Sequence, residues 1–148
     1  MEENLKTDFL ELVSDKFDVV PATAGSYSPL TLAYLGDSVF ELIIRSMLVA
    51  KANRPVGVLN RLGSTYAVAK AQAQLLKCIY EDLTKEEQAI ADRGKNAKPK
   101  SVAKHATAMD YSYATSLEAL IGYLYLEHKY ERLMELVSLG IKRMENIQ

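Results

Sequence analysis

The chain is 148 residues long, 49% hydrophobic and 25% charged, with 18 basic and 19 acidic residues for a formal net charge of −1. That is enough apolar material for one domain around a single core, with little left for a second, and the charge balance excludes a uniformly basic nucleic-acid binder. No uncharged apolar run reaches the roughly 18 residues of a membrane span, and Cys78, the only cysteine, allows neither an internal disulfide nor a cysteine-built zinc site.

The opening MEENLKTDFLELVSDKF is acidic and amphipathic, unlike the basic, apolar start of a secretory signal, so the expected location is cytoplasmic. From Pro29 to about Val49 the chain is too long and too apolar for a surface strand and suits a largely buried helix. Asp37, Glu41 and Arg45 recur there every four residues and form one polar stripe, with Glu41 and Arg45 spaced to pair. Pro55 fits the first turn of a second helical stretch through VLNRLGSTYAVAKAQAQLLKCIYEDL, with a bend expected near Gly63 to Tyr66. Cys78 lies among apolar neighbours and is expected to be buried. Thr84 and Glu87 have capping-box spacing and open a short helix that should end near Gly94. RGKNAKPK then breaks regularity as an exposed loop. Helix resumes by about Tyr111 and runs to Glu127, and an amphipathic helix covers Tyr130 to Ile147. With no strand signal, repeat or linker, the expectation is an all-α, single-domain protein over residues 1–148.

Charge is distributed unevenly. Arg93, Lys95, Lys98, Lys100 and Lys104 fall within twelve residues that hold no acid, which leaves −6 on the rest of the chain. A short cationic segment on an otherwise acidic protein suits a local phosphate contact, against the alternative of a merely solvated run. Lys70 is a weaker candidate of the same kind.

Two acids stand where acids are costly. Glu118 is the only charge in YSYATSLEALIGYLYL, and Asp37 sits between Gly36 and the apolar Val39 and Phe40. A carboxylate taken out of water needs a partner or must neutralise by a pKa shift. Gly36 and Gly122, beside or one turn from these acids, would let two helices cross closely enough for the carboxylates to converge. Converging carboxylates suit a hard divalent cation such as magnesium. Spacing alone leaves a buried structural network equally open.

The stretch LAYLGDSVFE resembles the ribonuclease III signature, usually LEFLGDAVLE, and SLEALIGYLYLE resembles the family's second acidic motif, typically DTFEALIGAIYLD. AVAKAQAQ and RGKNAK between them resemble the Mini-ribonuclease III branch, which lacks the separate double-stranded-RNA-binding domain. The resemblance covers residues 28 to 142. It implies the all-helical ribonuclease III endonuclease fold and hydrolysis of double-stranded RNA to 5′-phosphate and 3′-hydroxyl ends. Asp37 and Glu118 would be the catalytic metal ligands for Mg2+, with Mn2+ able to substitute. It also implies a homodimer, one centre per strand, and precursor ribosomal RNA of the large subunit as substrate. Ala33 and Thr115 stand where ordinary ribonuclease III has further acids. These departures keep open a non-catalytic RNA-binding or ribosome-assembly module on the same fold. Tyr34 and Phe40 are the candidate anchors of the dimer interface. His105 and His128, the only histidines, are not expected to form a metal-free imidazole pair.

Overall fold

The computed structural model describes residues 8–97 and 107–147. Among them are seven α-helices and two short 3-10 turns, and no strand. They are α1 (Phe9–Phe17), η1 (Ala24–Ser26), α2 (Pro29–Lys51), α3 (Val56–Ala67), α4 (Ala69–Ile79), η2 (Tyr80–Asp82), α5 (Lys85–Asn96), α6 (Ala108–Leu126) and α7 (Tyr130–Ile147). No described helix is long and apolar enough to cross a membrane.

Local chemistry starts most of them. Ser28 caps α2 with Pro29 in the first turn, and Thr107 caps α6. Thr84 and Glu87 form the expected capping box on α5, with both reciprocal hydrogen bonds present. Three boundaries differ from expectation. The second helical stretch breaks outright at Val68, where the backbone is extended at ψ 150°, and this divides α3 from α4. The bend was expected earlier because Val68 is neither glycine, proline nor a polar cap. Helix α6 begins one turn before Tyr111, at the Thr107 cap. Helix α5 continues past Gly94 to Asn96, since that glycine serves packing: a Cβ there would lie 2.9 Å from the Ser116 Cα.

Helix α6 is the hub. It is apolar nearly all round, as a helix surrounded by others must be, and Ala114, Ser116, Leu117 and every residue from Ala119 to Leu124 are buried. Helices α2, α4, α5 and α7 pack about it, contributing Leu32, Phe40, Leu76, Ile90, Leu133 and Leu136 to one continuous core. The Ser116 hydroxyl, buried on the α5 side, donates to the Ala91 carbonyl at 2.6 Å. Glu87, only 5% exposed, also receives the Arg132 guanidinium at 2.8 and 2.9 Å, which ties α7 to α5 and holds the carboxyl below its ordinary range. At the other end of α6, the Asp8 carboxylate accepts the Tyr130 hydroxyl and meets His128 Nδ1 at 2.6 Å, fixing α1 against the α6–α7 turn.

Phe40 is fully enclosed in the core and is no interface anchor, because it lies on the inner face of α2. Cys78 is half-buried rather than buried. Its carbonyl accepts a hydrogen bond from Arg143.

Candidate active site

The site begins with two missing side chains. A Cβ on Gly36 would lie 1.8 Å from the Glu118 carbonyl oxygen, and one on Gly122 would lie 2.1 Å from the Leu32 carbonyl oxygen. Helices α2 and α6 therefore touch backbone to backbone, as the two glycines suggested. Asp37 follows Gly36, and Glu118 precedes Gly122 by one turn, so both carboxylates leave the backbone at this crossing. Asp37 stands within hydrogen-bonding reach of Glu118. From a third side α4 brings Gln72, which is buried and favours the ionised form of Glu118.

The two acids sit in different surroundings. Asp37 is exposed, contrary to the expectation that it is taken from water, because it stands at the solvent edge of the crossing. Glu118 is half-buried, and its pKa is pushed up to about 8, first by burial and then by the hydrogen bond and charge of Asp37, with Gln72 acting in the opposite direction. Near neutral pH the Glu118 carboxyl thus retains its proton. A cation placed there would relieve the same repulsion. Among the described residues no three or more histidine, cysteine, aspartate or glutamate side chains gather. Ala33 is buried beneath the site, and Thr115 lies half-buried one turn before Glu118 on the same side of α6. An all-oxygen donor set with partly desolvated negative charge fits magnesium or manganese rather than zinc.

Other candidates fall around this centre. Glu41 and Arg45 form the expected i, i+4 pair at 3.0 Å on the surface. Lys70 is exposed in the first turn of α4, two residues before Gln72. Arg93 donates to the Gly25 and Tyr27 carbonyls, both at 3.1 Å, and so braces η1 against α5. Lys95 turns to the Tyr113 ring. Lys98, Lys100, Lys104 and His105 lie outside the described residues. Sequence reading missed Gln72, although a signal existed. It shares the spacing of Leu75, Leu76 and Ile79, so an amide was placed on the buried face of α4 and required a polar partner.

Comparison with known proteins places this arrangement in a class. Residues 30–129 match the family model of the ribonuclease III domain, so the fold is that of a ribonuclease III-type endoribonuclease. Over 120 residues the chain is 44% identical to the Mini-ribonuclease 3 of a Thermoanaerobacter species, spanning 81% of this chain and 84% of that one. Over 117 residues it is 43% identical to the Mini-ribonuclease 3 of Enterococcus faecalis, spanning 78% and 89%. A solved structure from Fusobacterium nucleatum superposes with a TM-score of 0.73 and 36% identity over 80% of this chain and 95% of that one. The chain belongs to the Mini-ribonuclease 3 branch of the ribonuclease III family, which makes it an enzyme acting on RNA rather than a non-catalytic module.

Proposed function

We propose that the protein cleaves double-stranded RNA in a magnesium-dependent reaction in which Asp37 and Glu118 hold the ion. The observation that carries this is the convergence of the two carboxyl groups at the Gly36–Gly122 crossing, where burial and then the neighbouring Asp37 push the Glu118 pKa up to about 8. A bound magnesium ion supplies an acidified water and a counter-charge for the phosphate. Asp37, exposed, faces the substrate side, while Glu118 is anchored deeper by Gln72. Loss of the Glu118 proton is the step that readies the site for the ion. Mn2+ fits the same oxygens.

The catalytic domain is taken to occupy residues 1–148 as one unit, acting in the cytoplasm on precursor ribosomal RNA of the large subunit. Cutting both strands calls for two centres related by a two-fold axis, which a homodimer provides. Exposed Tyr34 (82%), Leu42 (65%) and Val49 (60%) along α2 support such a surface. Incubating the purified protein with a long RNA duplex should give fragments with 5′-phosphate ends in magnesium and none in EDTA, and sedimentation should give twice the mass of the 16.5 kDa chain. Intact duplex in magnesium would overturn the catalytic reading, and an active monomer would overturn the dimer.

Duplex RNA exposes phosphates and 2′-hydroxyls rather than readable major-groove edges, so cationic contacts should dominate binding. We place them on Lys95, Lys98, Lys100 and Lys104, with Arg93 bracing their base. Replacing Lys95, Lys98 and Lys100 together by alanine should weaken binding to all duplex sequences alike. The slope of log affinity against log salt should fall by about two to three units if all three bind phosphate, at roughly 0.7 to 0.9 per contact. An unchanged slope would reduce the segment to a solvated run.

A further inference from the structure

Away from the carboxylates, two ammonium groups from different helices gather on one ring. Lys77 of α4 holds its Nζ 4.7 Å from the Tyr113 centroid, and Lys95 of α5 holds its own 5.0 Å from the same centroid. The amines are thus at most about 10 Å apart, so their positive charges add in one place. The ring face offsets part of that charge through cation–π attraction. Among the described residues neither lysine has a carboxylate within ion-pairing distance. Asp92, the one acid lining the hollow beside them, accepts the Tyr80 hydroxyl at 2.8 Å. That hollow has a volume of about 300 Å³, is open to solvent and has the two amines at its rim.

Position adds a second line of support. Lys95 lies in the last turn of α5 and Tyr113 in the second turn of α6, so the cluster sits at the root of the segment that carries Lys98, Lys100 and Lys104. Tyr113 precedes Glu118 by five residues, about 7.5 Å along α6 and about 140° around it. A phosphate held at the cluster is therefore not the one being cut.

Building on the RNA reading above, we propose that Lys77, Lys95 and Tyr113 form a backbone-phosphate subsite that carries the duplex-binding track from the cationic segment onto α4. Tyr113 holds both amines beside one ring, and a phosphate would add negative charge to that of Asp92 in the same hollow. Lys77 is the residue that distinguishes this subsite from the segment itself.

The test uses the full chain and a fluorescein-labelled RNA duplex of about two helical turns, with anisotropy read over a series of monovalent salt concentrations in EDTA so that nothing is cut. Lys77→Ala should lower the salt slope by about 0.7 to 0.9 and weaken binding about fivefold to eightfold at 0.1 M salt, the loss of one phosphate contact. Lys77→Arg should retain both. Lys129→Ala, an exposed lysine on the α6–α7 turn, should leave the slope unchanged. If wild-type protein binds and Lys77→Ala matches it in slope and affinity, or Lys129→Ala loses as much, the subsite is wrong. If wild-type protein fails to bind the duplex at all, the RNA reading itself falls, which is a separate result.

Discussion

Glu118→Gln should reduce cleavage of an RNA duplex by at least about a thousandfold while leaving the fold intact, because it removes one of the two proposed anionic ligands and metal assistance contributes several kcal/mol to such reactions. Glutamine preserves the shape beside Gly36 and can still meet the Gln72 amide, so packing at the crossing is unchanged. The pH dependence of stability separates this from general damage. In the metal-free wild type the carboxyl keeps its proton up to about pH 8, whereas in the unfolded chain it titrates near 4.5. The folded state therefore binds more protons across that window. Stability is undiminished below about pH 4.5 and falls as pH rises through about 8. The loss should be on the order of 1–3 kcal/mol, since solvent still reaches part of the group. Glu118→Gln should flatten the profile, so that in EDTA at pH 8 the variant melts above the wild type. Magnesium should raise the wild-type melting temperature at pH 8 and leave that of the variant nearly unchanged. A variant that cuts at a rate near wild type in limiting magnesium would remove Glu118 from the site, and a profile as steep as that of the wild type would move the proton elsewhere.

Gly36→Ala should be the most destabilising single methyl in the protein, at about 3 kcal/mol or more. The new carbon would fall 1.8 Å from a backbone carbonyl oxygen, with a further backbone carbon at 2.7 Å. No rotamer relieves a Cβ clash with backbone. The helices must separate, which opens the core where α6 is most enclosed. Gly57→Ala is the internal comparison, since nothing lies within 4 Å of its Cβ position in α3. There the same chemical change should stabilise slightly, by roughly 0.5–1 kcal/mol, through helix propensity. Urea melts of the two variants should bracket the wild type. A Gly36→Ala midpoint close to wild type would mean that the crossing is looser than described.

The crossing shows how far residue type can be read without coordinates. Gly36 and Gly122 flank acids in apolar surroundings, and this pattern has few uses other than a close helix contact that brings carboxylates together. Glu118 was legible as an acid in need of a partner because its neighbours are apolar on every side. Asp37 was misjudged in burial for the opposite reason. Gly36 and Phe40 face inward, but Asp37 stands at the solvent edge of the crossing, and local composition does not resolve which side of α2 is covered. The α3–α4 break at Val68 carried no glycine, proline or cap, so only tertiary packing sets it. Gln72 and Lys77 act through neighbours distant in sequence, Glu118 and Tyr113, and their importance appears only once α4 is laid against α6. Arg93 belonged by composition to the cationic segment, yet its guanidinium reaches carbonyls 66 and 68 positions earlier in the chain.

Helix α3 has a consequence for how the molecule breathes. It contains no buried residue, and only Leu59, Leu62 and Tyr66 among its larger side chains lean half-buried on the core. Its detachment exposes little apolar surface, so its amides can exchange with solvent through local opening, at a small fraction of the free energy needed to release those of α6. The α2–α6 crossing does not take part in that opening. Amide exchange should therefore be protected to the level of global unfolding in α6 and far less in α3, and a single melting curve would report only the first.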